Sequence, residues 1–175
     1  MANYNYVVSG IVPALQQPTD STCWATSTTM LMSWRDNASY AIDTAMGMIG
    51  DYWLQKFNNN EGLNQTLGSD EENRFLADSH LQAEAPASYT LDALVAMMQN
   101  SGPLMVTTAT SDPNWNHVRV LFGISGDGTV DNTFLQINDP ADGQTHQESL
   151  ADFLQKYEGA VSDPTYAVSV QIIHL

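Results

Sequence analysis

Gln17-Pro18-Thr19-Asp20-Ser21-Thr22-Cys23-Trp24-Ala25 is the stretch on which the rest of the chain is organised. It holds the only cysteine of the protein, preceded by a Pro/Thr/Asp/Ser loop and followed by an apolar run to Trp34 that reads as a helix. A thiol at a helix start has a chemical use. Only the thiolate is a good nucleophile and a free cysteine titrates near ~8.5, whereas the unpaired N–H groups and dipole of a helix's first turn stabilise the anion. A cysteine of this kind needs a histidine, a group that orients the histidine, and a donor for the oxyanion.

The outward reading is bounded by composition. A chain of 175 residues suits one domain, residues 1–175, and 43% hydrophobic content is enough for a packed core. Twenty acidic against five basic side chains give a net charge of −15, a field that repels phosphate backbones and anionic lipid. Nucleic-acid partners and binding to a membrane surface are therefore not expected. One cysteine excludes an intrachain disulfide and any Cys-rich metal site. No His-x-x-x-His, Walker or dinucleotide glycine pattern is present, so no cofactor or metal is expected. Met1 to Gly10 lacks the basic and apolar regions of a secretory signal, and no run approaches the ~18 apolar residues of a membrane span. The reading is a soluble protein, without membrane insertion, exported by a specialised machine if it is exported at all.

Along the chain, Tyr4–Val12 suggests a strand. Trp24, Ser27/Thr28, Leu31 and Trp34 fall on one helical face, but the many Thr and Ser residues lower propensity, so packing must hold this helix. Ala41–Phe57 gives a second helical pattern, weakened by Gly47 and Gly50 and ended by three asparagines. Ser69 with Glu72 predicts a capping box, and Thr90 an N-cap for a helix over 91–100. From there the pattern changes to strands: 104–110, 117–124, 133–138 after a turn at 125–128, and 167–175. A loop over 140–143 and a helix over 149–157 capped by Ser149 lie between them. Helices first and strands second, without βαβ alternation, argue an α+β architecture.

The nucleophile stretch resembles the papain-like cysteine peptidases, whose motif is a Gln, five residues, then Cys-Trp-Ala or Cys-Trp-Ser. The match is closest to compact bacterial members that often act as secreted effectors. What the resemblance implies is a papain-like α+β fold with a helical lobe over about 13–100 and an antiparallel sheet lobe over about 101–175. It also implies Cys23 as nucleophile and Gln17 as oxyanion donor. The base lies at a strand start in the sheet half, and of His80, His117, His146 and His174 only His117 occupies such a place. His80 and His146 fall in polar segments, and His174 reads as a satisfied strand residue. The third member belongs at the end of the next strand, where Asn138-Asp139-Pro140 stands; Asp139 is preferred and Asn138 is the fallback, since adjacent strand residues face opposite ways.

The implied activity is a peptidase acting through a Cys-His-Asp triad on a protein or peptide substrate, in a reducing environment. An effector or toxin role would bring a cognate immunity or inhibitor protein that plugs the cleft. The chain departs from plant-type enzymes in its shorter Cys-to-His segment and in lacking a Trp directly after the third member, so substrate preference does not carry over. Two alternatives stay open: a cysteine amidase on peptidoglycan peptides or a protein deamidase or transglutaminase, and a catalytically silent binding module of the same fold.

Overall fold

The computed structural model describes residues 3–111, 116–160 and 169–175. Six helices and seven strands occur among them. The first two residues of the strand expected over 167–175 lie outside the described residues.

Helix α1, Cys23–Asp36, is the axis of the molecule, with Cys23 through Ser33 all buried. A helix hydrophobic on one face only could not be so enclosed. Here the polar positions are made compatible with burial locally. Thr26, Thr28 and Thr29 each donate their hydroxyl to the carbonyl four residues back, at 2.7–3.0 Å. Ser27 donates instead to the Val118 carbonyl of the sheet at 3.2 Å, tying the helix to its neighbour. Trp24 anchors the other side. Its ring meets Trp53 and Phe75 edge-on, with centroids 6.1 and 5.8 Å apart, and its indole N–H donates to the Glu61 carbonyl. Each such fully buried ring contributes roughly 2–3 kcal/mol by transfer from water.

The pattern over 41–57 forms two helices, α2 Ile42–Ile49 and α3 Asp51–Asn58, because Gly50 between them takes φ +153°, outside helical space. Helix α4, Asp70–Ser79, starts as expected. Ser69 accepts from the Glu72 N–H, and the Glu72 carboxylate reaches back to the Gly68 N–H at 2.6 Å. Helix α5, Leu91–Ser101, is capped by Thr90, and α6, Leu150–Gly159, by Ser149.

The strands are β1 Tyr4–Val7, β2 Gln82–Ala83, β3 Leu104–Ala109, β4 Asn116–Gly126, β5 Thr133–Asp139, β6 Gln144–Ser149 and β7 Ile172–His174. They form one antiparallel sheet in the order β2-β7-β3-β4-β5-β6. β1 pairs with the far half of β4, along the edge that β3 occupies nearer its start. Alternation along the strands gives the sheet two buried faces. Met105, Val118, Val120 and Ile173 pack with α1 to α4, whereas Leu104, Val106, Leu121, Ile137 and Ile172 pack with α5 and α6. The sheet is thus covered on both sides. Helix α5, which sequence order groups with the helical half, lies with α6 on the face away from α1 through Leu94 and Met98.

Candidate active site

Three element ends meet at the start of α1. Cys23 is the first helical residue and is 8% exposed. No side chain caps this helix and its first turn holds no acid; the Thr22 hydroxyl donates backward to the Thr19 carbonyl at 2.8 Å. The first-turn N–H groups and the positive end of the helix dipole are left for an anion beside Cys23.

His117 opens β4 and Asp139 closes β5, strands that pair directly. His117 Nε2 lies 2.6 Å from Asp139 Oδ1. His117 also hydrogen-bonds the Cys23 side chain, and with Nε2 committed to Asp139 the ring nitrogen left for sulfur is Nδ1. Burial alone would lower the His117 pKa. The bonds to Asp139 and Cys23, with the charges of both, outweigh it and push the imidazole up to about 9. Burial likewise works against the Asp139 carboxylate, but the His117 bond and charge, the Ala141 N–H and the charge of Arg119 hold it below the usual carboxylate range. The geometry therefore favours a charged imidazolium between two acceptors, an arrangement suited to handing a proton to a leaving group at neutral pH.

Asn138 takes no part in this dyad. It is fully buried with its side chain turned to the other face of the sheet, where Nδ2 donates to the Val12 and Pro13 carbonyls at 3.0 and 3.2 Å and Oδ1 accepts from Thr145. Gln17 lies in the approach to α1. Its main-chain N–H donates to the Pro140 carbonyl at 2.8 Å, and its side-chain Oε1 is buried with no donor among the described residues. The other histidines stand apart: His80 ends α4 at φ +58°, His146 is exposed beside Asp142, and His174 is buried against Glu84.

A pocket of about 210 Å³ opens beside Cys23, walled by Asp20, Ser21, residues 62–66, Asn116 and Ser169. The loop at 60–66 is pinned to the segment that carries Cys23 by Ser21 Oγ donating to the Asn60 carbonyl and Trp24 donating to that of Glu61. Nothing in the sequence marks this loop for a role, since its only local signal is a polar run after α3. Arg119 carries a sequence signal of its own, a charged residue inside the strand pattern His-Val-Arg-Val-Leu-Phe. Arg119 is 5% exposed, bonded to Thr108 and paired with Glu148 at 2.8 Å, close enough for its charge to act on Asp139. Among the described residues no cluster of three or more His, Cys, Asp or Glu is placed to hold a metal ion, and no helix is long and apolar enough to cross a membrane.

The family model described as papain-like cysteine protease AvrRpt2 matches residues 8–158, a span that includes Gln17, Cys23, His117 and Asp139. The chain belongs to this papain-like cysteine protease family. A comparison with curated proteins finds no match. Membership of the family agrees with the mixed helix and antiparallel-sheet architecture and supports a cysteine peptidase activity.

Proposed function

We propose that the protein is a cysteine peptidase that cleaves peptide bonds through Cys23, His117 and Asp139. The reading is carried by one observation, the contact of His117 with Cys23 on one side and Asp139, at 2.6 Å, on the other. In this scheme Cys23 Sγ attacks the scissile carbonyl, forming the S–C bond and driving an electron pair onto the oxygen. The His117 imidazolium then gives its proton to the leaving nitrogen as the C–N bond breaks. Neutral His117 next takes a proton from water, whose oxygen attacks the thioester; the C–S bond breaks and the thiolate returns. Asp139 holds the ring in the tautomer and orientation that both steps need. Gln17 Nε2 and the Cys23 main-chain N–H serve as oxyanion donors, each typically worth ~3 kcal/mol.

The AvrRpt2 description and the acidic chain together support a bacterial effector or toxin that is delivered to another cell and acts on a protein there. A cognate inhibitor filling the pocket beside Cys23 fits the same role. The test is hydrolysis of fluorescein-labelled casein under reducing conditions by the full chain and by Cys23→Ala. Release of label by the wild type alone supports the peptidase. Intact casein, combined with cleavage of purified peptidoglycan peptides or deamidation of a protein glutamine, would move the same nucleophile to an amidase or deamidase. A Cys23 that alkylates no faster than free cysteine would leave a binding module.

A further inference from the structure

The turn that follows β5 serves the dyad and the nucleophile strap at once. On one face of the strand end, Asp139 accepts His117. On the other, Asn138 grips the main chain of Val12 and Pro13. One residue on, the Pro140 carbonyl accepts the Gln17 N–H. Gly143, at φ +68°, lies against Gln16 so closely that a Cβ there would stand 2.8 Å from the Gln16 Cβ and 2.9 Å from its nitrogen. Residues 12–17 are therefore held at three points by residues 138–143. Gln17 Oε1 has no hydrogen-bond partner among the described residues, and the main-chain bond to the Pro140 carbonyl seats the residue.

We infer that Asn138 and Gly143 are positioning residues for the oxyanion hole, setting the Gln17 amide against Cys23 from the same turn that carries Asp139. The inference rests on the reading of Cys23 as nucleophile and Gln17 as oxyanion donor. Asn138 and Asp139 point to opposite faces of the strand end, so loss of the Asn138 bonds reaches Gln17 through Val12 and Pro13 while leaving His117 and its partner in place.

Two reactions of the same thiol separate these effects. Alkylation by iodoacetamide displaces iodide at a saturated carbon and forms no oxyanion. Acylation by p-nitrophenyl acetate passes through a tetrahedral oxyanion: the S–C bond forms, the C–O bond breaks, and its electron pair leaves on p-nitrophenolate. Both rates are measured on the full chain and on Gln17→Ala, Asn138→Ala, Gly143→Ala and the double variant Gln17→Ala/Asn138→Ala. Gln17→Ala should lower acylation by about 100-fold and leave alkylation and its pH profile unchanged. Asn138→Ala and Gly143→Ala should each lower acylation on the order of 10-fold, again with alkylation unchanged. In the Gln17→Ala background Asn138→Ala should add less than about 2-fold, since both act through one amide.

The inference is overturned if Asn138→Ala lowers alkylation in step with acylation, or if its full effect returns in the double variant. Gly143→Ala keeps the question decidable should Asn138→Ala not fold, because acylation at the wild-type rate in Gly143→Ala also overturns it. Gln17→Ala acylating like the wild type would instead remove the oxyanion reading beneath, and the inference with it. Acylation lowered in Gln17→Ala, Asn138→Ala and Gly143→Ala with alkylation kept, and the Asn138→Ala effect gone once Gln17 is removed, is the result that supports it.

Discussion

Replacing Asp139 by Asn should drop the titration midpoint of His117 and flatten the pH dependence of stability. The structure places His117 at about 9 against an ordinary 6.5. That difference corresponds to about 3 kcal/mol favouring the imidazolium, at 1.36 kcal/mol per unit. The side chain is 15% exposed, so solvent screens this only in part. Because burial acts the other way, the Asp139 and Cys23 interactions together must exceed the net figure. Asn keeps the size and an acceptor oxygen at position 139 but removes the charge, and an opposite charge at such range is ordinarily worth ~1–3 units. His117 should therefore move toward 6.5 by a unit or more in Asp139→Asn, read from the carbon-bound ring protons of the four histidines by NMR across pH 5 to 10. The stability consequence has a definite sign. A pKa raised on folding contributes stability that is complete below about 6.5 and is lost as pH rises through about 9. Urea unfolding of the wild type should thus weaken across that window, and of Asp139→Asn much less. A His117 midpoint still near 9 in the variant would refute the reasoning and assign the shift to Cys23 alone.

Arg119→Met should cost about 3 kcal/mol in urea unfolding, because Glu148, 8% exposed, is left among the described residues with Lys156 alone as cationic partner; a change within ~0.5 kcal/mol would show the pair to be dispensable. Phe75→Ala removes the ring that touches both Trp24 and Trp53 and should cost about 3–5 kcal/mol, with near-UV circular dichroism of the tryptophans altered in parallel. Gly102→Ala should lower the melting temperature, since the residue takes φ +79° and a Cβ would stand 2.3 Å from the Trp34 ring; the cost should exceed ~1 kcal/mol, and an unchanged Tm would show that Trp34 swings aside.

Much of the molecule was legible because its signals are local. Ser69, Thr90 and Ser149 were readable as N-caps, and each accepts the N–H three residues on, since an unpaired first-turn donor needs a partner whatever the rest of the fold does. The break between α2 and α3 was only half visible. Gly47 and Gly50 weaken the pattern equally in sequence, and only the folded chain shows that Gly50 leaves helical space, at φ +153°, while Gly47 stays within α2. β6 was missed because Gln-Thr-His-Gln-Glu-Ser has no apolar alternation; it is an edge strand held by its pairing with β5, and its first four residues are exposed. Helix α5 carries an apolar stripe that any covered surface would bury, so its place beside α6 could not be read from periodicity.

The nucleophile stretch by itself determined the chemistry on offer: one thiol, at a helix start, with a glutamine six residues before it. Sequence alone also narrowed the base to a histidine opening a strand and the third member to one of two neighbours. Tertiary structure decided which of those neighbours contacts His117, because strand pairing sets which of two adjacent side chains shares its face, and that face belongs to Asp139 while Asn138 bonds the main chain of Val12 and Pro13. It alone supplied the wall of the pocket at 62–66, the buried Arg119 behind the dyad, and the rise of His117 to about 9, all of which come from groups distant in the chain and near only after the sheet has closed against α1.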